Sequence, residues 1–263
     1  MSRSQFEPVA ASAEYPTVVI GGLPIAAITR REAARTILAM ADKDRCHSSR
    51  PYYLTSANGE VIARSATDPN IAKLFLNADQ IVADGQPMVL ASRFVCAHAL
   101  PERVATTDLF HDVAALAEKS GHSFYFLGAT AEENLLAVEN TQSAYPNLRI
   151  AGHSHGFLSG DELTAKLSEI KQLRPDILWL AMGVPREQEF IDKHAAALTG
   201  VGVIKTSGGL FNFLSGKNRR APLWMQNIGL EWAYRLSLEP KRLLMRYLTT
   251  NFSSAILILT RSR

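Results

Sequence analysis

A chain of 263 residues with 47% hydrophobic and 20% charged residues carries enough apolar side chain for one large folded core and is too apolar for a disordered chain. Its net charge of +3 does not demand a nucleic-acid partner, and its two cysteines, Cys46 and Cys96, are too few for a disulfide scaffold, which favours a reducing cytosol. No window reaches the roughly 18 apolar residues of a membrane span, and residues 1–15 lack the apolar run of a secretion signal, so the expectation is a cytoplasmic protein, soluble or peripheral to a membrane.

After a polar segment at 1–16, expected to be flexible, residues 17–20 predict a short strand, with Gly21-Gly22 as a turn and residues 23–25 as its continuation. Thr29 reads as the N-cap of a helix running to about Ala41, with Glu32 placed to close a capping box. A strand at 51–54, a loop at 55–58 and helices through about Ala66 and over 70–76 follow. Next come a strand at 80–82, a loop at 83–85 and a helix over 87–95. The second half alternates more cleanly. Strands are predicted at 123–127, from 149, at 177–181 and at 202–205, with helices over 130–145, 160–173 and 186–198. The continuous apolar run at 177–181 suits a strand buried on both faces of a parallel sheet. Such alternation predicts an α/β fold with a mostly parallel, Rossmann-like doubly wound sheet over 17–220. From Ala221 the pattern becomes helical, at 222–236 and 240–259, and seven Lys/Arg stand against two Glu between Lys217 and Arg246. Residues 221–263 are therefore expected to form a basic helical appendage.

In an open parallel sheet, ligands bind outside the carboxyl ends of the strands. The segments just after the predicted strands are Ser56-Ala57-Asn58, Ala83-Asp84-Gly85, Gly128-Ala129-Thr130, Gly183-Val184-Pro185-Arg186-Glu187 and Thr206-Ser207-Gly208-Gly209. Each alone reads as a turn; five together at one edge read as a site. Asp84 is a carboxylate at the end of an apolar strand, suited to act as a general base, and Gly85 lets a ligand approach the backbone. Gly128 and Thr130 sit where a helix N-terminus would meet a phosphate. Neither a dinucleotide fingerprint nor a P-loop is present. His153-x-His155 lacks a third metal ligand, and Asp42-Lys43-Asp44 lies in a polar stretch at a helix end rather than after a strand, so no metal is expected.

Spaced motifs then carry a resemblance over residues 18–247. They include Ser56-Ala57-Asn58, Ala83-Asp84-Gly85-Gln86-Pro87, Leu100-Pro101-Glu102-Arg103-Val104 and Gly183-Val184-Pro185-Arg186-Glu187-Gln188-Glu189, then Gly208-Gly209-Leu210-Phe211-Asn212-Phe213-Leu214-Ser215-Gly216-Lys217, Arg219-Arg220-Ala221-Pro222 and Glu239-Pro240-Lys241-Arg242. The chain resembles the WecG/TagA/CpsF family of bacterial glycosyltransferases. The resemblance implies transfer of a sugar from a UDP-sugar to an undecaprenyl-diphosphate-linked sugar, with inversion and without a bound metal or other cofactor. It puts the catalytic Asp on Asp84 and donor-side contacts on Ser56, Asn58, Gly183, Pro185 and Glu187. The sequence departs from the family at three places: Ser56 replaces Thr, Glu187-Gln188 reverses Gln-Glu, and Thr106 replaces a Gly.

The expected reading is a UDP-hexose or UDP-N-acetylhexosamine transferase of envelope or exopolysaccharide synthesis. Asp84 is the base, Ser56 and Asn58 order the sugar, and Gly128, Gly208 and Gly209 accommodate the nucleotide. Arg103 is counted with the substrate-binding residues, and Arg235, Arg242 and Arg246 meet the acceptor diphosphate. Trp224, Trp232, Tyr234 and the tail's Lys/Arg would meet an anionic membrane surface on its cytoplasmic side. A homo-oligomer is left open. The rivals are a non-catalytic sugar-nucleotide or lipid-phosphate binder, which has no use for Asp84, and a nucleotide-dependent oxidoreductase, which would want the absent Gly-rich fingerprint.

Overall fold

The computed structural model describes residues 15–43, 49–238 and 240–263, without the side chains of residues 227, 242, 243 and 245–249. Most of the segment expected to be flexible, together with Asp44 and Cys46, lies outside the described residues.

The chain enters through an antiparallel hairpin, β1 (Thr17–Ile20) and β2 (Leu23–Ala26). Gly21 and Gly22 have φ of +58° and +93°, the pairing of left-handed residues that a two-residue hairpin turn requires. Residues 23–25 therefore return alongside the first strand instead of continuing it. Helix α1 (Arg30–Asp42) begins at Thr29, whose side chain accepts from the Glu32 amide while Glu32 reaches back to the Thr29 N–H, closing the expected capping box.

Six parallel strands form the main sheet: β3 (Tyr52–Ala57), β4 (Gln80–Ala83), β5 (Ser123–Gly128), β6 (Arg149–Ser154), β7 (Ile177–Ala181) and β8 (Val203–Thr206), in the order β4-β3-β8-β7-β5-β6. Strand β3 runs on through Thr55–Ala57, which sequence placed in a loop. Alternate side chains serve two cores. On one face Leu54, Val82, Phe124, Phe126, Trp179 and Val203 pack beneath α1, α5 (Thr106–Ser120), α6 (Ala131–Ala144) and α9 (Leu210–Leu214). On the other, Tyr53, Tyr125, Leu178, Leu180 and Ile204 meet α7 (Gly160–Leu173) and α8 (Arg186–His194). Beside them, Ala57, Ile81 and Ala83 meet the hairpin, α2 (Gly59–Thr67), α3 (Pro69–Leu76) and α4 (Gln86–Val95). Connections that step one way along the sheet use the first face (α5, α6), and those that step back use the second (α2 and α3, α7, α8), as a single handedness of crossover requires. The predicted parallel, doubly wound α/β sheet is the observed one. After β3 the chain turns to the second face, and after β8 to the first. The crevice between these neighbours is where such a sheet takes its ligand.

The C-terminal segment is helical, as α10 (Leu223–Asn227), α11 (Glu231–Leu238) and α12 (Pro240–Thr260). The single helix expected over 222–236 is two, separated by a turn in which Gly229 has φ +78°. Beyond His194, α8 tightens into a 3₁₀ turn, Ala195–Leu198. Helix α12 lies along α2, with Ser254 and Ile258 buried. Beyond it, Val19 and Arg263 exchange backbone hydrogen bonds of 3.0 and 3.1 Å, and Gly22 N–H donates to the Arg261 carbonyl. The tail is knit to the hairpin and to the sheet's second face. Among the described residues no helix is long and apolar enough to cross a membrane.

Candidate active site

A cavity of about 480 Å³ opens outside the carboxyl ends of β3, β4 and β8, within the size range of small-molecule sites. Ser56, Asn58, Asp84, Arg103, Glu187, Gly208, Gly209 and Arg235 all line it. Gly128, Gly183 and Pro185 are not in its wall; from the latter motif Val184 and Glu187 are. Arg242 and Arg246 fall on α12, and their side chains are outside the described residues.

Packing gives Gly128 a reason of its own. Its φ is +140°, and a Cβ built there would stand 2.2 Å from the Ala181 carbonyl oxygen, so close backbone approach between β5 and β7 accounts for the glycine. The α6 N-terminus that follows is already satisfied. Thr130 and Glu133 close a capping box there, and Lys217 pairs with the Glu133 carboxylate.

Asp84 stands at the junction of β4 and α4, its N–H donating to the Ala57 carbonyl at 2.8 Å. Its Oδ2 accepts from the Thr106 N–H (3.2 Å) and the Thr106 hydroxyl (2.9 Å). Its Oδ1 accepts from Arg103 Nη2 (3.2 Å) and Nε (3.4 Å). Arg103 in turn donates through Nη1 to Glu231 of α11 at 2.7 Å, tying the tail to the strand-end carboxylate. Burial works against the charge on Arg103, yet Asp84 and Glu231 together hold it above the usual guanidinium range.

Beneath this carboxylate lies a group that sequence reading passed over. Lys205 is wholly buried on β8, donating to Ser56 Oγ (2.8 Å) and to the Thr206 carbonyl (2.7 Å). Burial, only partly offset by the nearby Asp84 and Glu187 charges, brings its ammonium down to about 8. The available signal was a lysine in an otherwise apolar strand, one residue before its carboxyl end. Glu187 is also buried, and its Oε2 accepts from the Gly208 N–H (3.0 Å) and the Met182 N–H (3.4 Å), joining the loops after β7 and β8. Burial pushes its carboxyl up, against the opposing pull of the Gly208 amide and of Lys205. The reversed Glu187-Gln188 order thus places a buried carboxylate where Lys205 supplies the counter-charge.

The rest of the wall is built from helix starts. Asn58 caps α2, accepting from the Val61 N–H at 3.1 Å. Helices α4 and α5 begin at Gly85 and Ala105, neither of which offers a capping side chain. The α5 start is capped instead by Asp84 through the Thr106 N–H, and in the first turn of α4 Pro87 has no N–H and Met88 donates to the Gly85 carbonyl. Arg235 lines the opposite wall, its guanidinium 5.8 Å over the Phe213 ring, and α12 contributes Thr250, Asn251, Ser254 and Ile258. His153 and His155 lie elsewhere, bonded to Asn134 (2.9 Å) and to the Phe157 N–H (3.2 Å). Asp42 accepts from or pairs with His122 Nε2 at 2.9 Å.

A carboxylate set at a strand end, in the crevice of a doubly wound sheet, stands where such folds take a small-molecule ligand. The chain belongs to the glycosyl transferase WecG/TagA/CpsF family, whose model matches residues 18–263, and is a glycosyltransferase. It is similar to the N-acetylglucosaminyldiphosphoundecaprenol N-acetyl-beta-D-mannosaminyltransferase of Bacillus subtilis (strain 168), at 32% identity over 189 residues that make up 72% of each chain. It is also similar to the protein of the same name from Staphylococcus aureus (strain NCTC 8325 / PS 47), at 29% identity over 196 residues, 74% of this chain and 76% of that one.

Proposed function

We propose that the protein transfers a hexosyl or N-acetylhexosaminyl group from a UDP-sugar to an undecaprenyl-diphosphate-linked sugar, with inversion and with Asp84 as the base. The names of the two relatives favour N-acetylmannosamine as the group moved and N-acetylglucosamine as the sugar that receives it. The acceptor hydroxyl oxygen attacks the anomeric carbon, the bond from that carbon to the diphosphate oxygen breaks, UDP leaves and the hydroxyl proton passes to Asp84.

The observation that carries this reading is the hold on Asp84. Thr106 fixes Oδ2 through two donors at 2.9 and 3.2 Å, whereas among the described residues Oδ1 is held by Arg103 alone, at 3.2 and 3.4 Å. Oδ1 is the oxygen that substrate can free, by drawing the guanidinium onto a diphosphate, which it can grip in two places. Neutralisation of the donor falls to Arg103 and Arg235. The cavity's carboxylates are engaged by the protein itself: Glu60 with Arg64, Asp84 and Glu231 with Arg103, Glu187 with backbone amides and the Lys205 charge. That supports a transfer independent of metal.

Access to a lipid-linked acceptor is from the membrane face. Leu223 and Trp224 of α10 are 74% and 62% exposed, and Phe252, Ile256 and Leu259 form an exposed stripe on α12, on a different side of that helix from Asn251, Ser254 and Ile258. Exposed aromatic and aliphatic side chains with interspersed Lys/Arg suit a helix lying in a bilayer interface.

Asp84→Asn tests the assignment. It keeps size and loses the proton acceptor, so transfer falls by roughly 10²–10⁴-fold while UDP-sugar binding stays near that of the wild type. A variant retaining more than about a tenth of the rate refutes Asp84 as the base.

A further inference from the structure

We infer that Lys205 is a positioning residue of the transfer step, one that orients a chain of hydroxyls running Lys205–Ser56–Thr106–Asp84 so that every hydrogen points toward Asp84 and Ser56 meets the substrate as an acceptor. The inference rests on the reading of Asp84 as the base.

The direction of the chain follows from counting hydrogens. An ionised carboxylate only accepts, so the single hydroxyl hydrogen of Thr106 is committed to Asp84 Oδ2 at 2.9 Å. Thr106 Oγ1 therefore accepts in its contact with Ser56 Oγ, at 3.2 Å the longest link, and Ser56 donates. Ser56 Oγ accepts at the same time from Lys205 Nζ at 2.8 Å. With its hydrogen spent on Thr106, Ser56 presents only a lone pair to the cavity it lines. It is built to receive a sugar hydroxyl or an amide N–H, not a carbonyl. Hydrogen bonds polarised in one sense strengthen one another in a low-dielectric site, so the buried ammonium is felt at Asp84 through two neutral hydroxyls.

Lys205 is held in this role by its surroundings. Its strand neighbour β3 carries Ser56, the end of β4 carries Asp84, and α8 carries Glu187. These two carboxylates are the charges that act on it, and Arg103 stands on the far side of Asp84. As pH rises through about 8 the ammonium loses its charge. A neutral amine is a weaker donor to Ser56 and weakens the polarised chain that ends at Asp84, whose remaining cation is Arg103, so kcat falls on the alkaline side.

The experiment compares Lys205→Met and Lys205→Arg with the full-length wild type, reading kcat, donor KM and the pH profile of kcat. Lys205→Met is expected to lose about tenfold or more in kcat, with KM for the UDP-sugar within about threefold, and to lose the alkaline limb. Lys205→Arg keeps a cation that does not titrate in this range, so it restores most of the rate and also lacks the limb. Wild-type kcat in Lys205→Met, or an alkaline limb that survives there, overturns the proposal. Should Lys205→Met fail to fold, Thr106→Val decides, since it cuts the chain one link nearer Asp84 and leaves Lys205 in place. It should lose about tenfold in kcat while Thr106→Ser retains the rate, and equal rates in the two overturn the proposal. Asp84→Asn separates the two levels. If it stays active, the base assignment fails; if it is inactive while Lys205→Met behaves as wild type, only the present inference fails.

Discussion

Ile258→Ala measures how far the C-terminal helix belongs to the folded core. Ile258 is 4% exposed and packs in one cluster with Ala57, Val61 and Ile62, so it is one of the side chains by which α12 grips α2 and the end of β3. Truncating a buried Ile to Ala costs about 2–5 kcal/mol, and a value near 3 is expected here because the site lies toward the end of a helix that can partly settle into the space. For a chain of this length about 2–4 °C of Tm is lost per kcal/mol, giving a drop of about 6–12 °C. Phe252→Ala on the same helix is the control. Its side chain is 74% exposed, and the substitution should stay within about 0.5 kcal/mol of wild type. Urea unfolding followed by far-UV circular dichroism reads both. If the two variants differ by less than about 1 kcal/mol, α12 is not held as described. Because Ile258 also lines the cavity, transfer should weaken along with stability.

Two further outcomes are expected. Transfer should persist in EDTA, since the cavity's carboxylates are engaged by the protein's own cations and amides; complete loss that Mg²⁺ or Mn²⁺ restores refutes the neutralisation by Arg103 and Arg235. Charge reversal at Arg242 and Arg246 should lower co-sedimentation with anionic vesicles by at least about tenfold, more at low salt than at high, as each surface cation contributes about 1 kcal/mol; unchanged sedimentation refutes membrane docking through this helix.

Much of the fold was written in local pattern. The buried parallel strands announced themselves as apolar runs such as Ile177–Ala181, and α1 as a Thr-x-x-Glu cap. The carboxyl-edge loops after β3, β4, β7 and β8 do converge, which is why Asp84, Ser56, Asn58 and Glu187 could be picked out. Helix α5 was missed for a physical reason: it has no cap of its own. Ala105 offers no side chain, and the Thr106 N–H is satisfied by Asp84, 22 positions back in the chain, a tertiary cap that no local window contains. Lys205 escaped for a related reason. A lysine ending a strand reads as a surface residue until its partners, Ser56 and two carboxylates, are folded around it. The wall supplied by Glu231, Asn251 and Ser254 is likewise a product of α11 and α12 returning over the sheet, and helical periodicity says nothing about where a helix returns.

The pairing of Arg261 and Arg263 with β1 joins segments made at opposite ends of the fold, with Gly21 and Ser262 bonded across 241 positions. During synthesis all six strands and their crossover helices emerge before α12 does. The sheet can therefore gather its two cores early, while the cleft still lacks a side and Arg103 still lacks Glu231. Docking α12 then needs the finished hairpin, α2 and α4 to receive it. Catalytic competence should thus appear as the final event of folding, later than the bulk of the secondary structure. A nascent or clipped chain would then hold a formed sheet with Asp84 in place and yet no enclosed site in which a sugar could be moved.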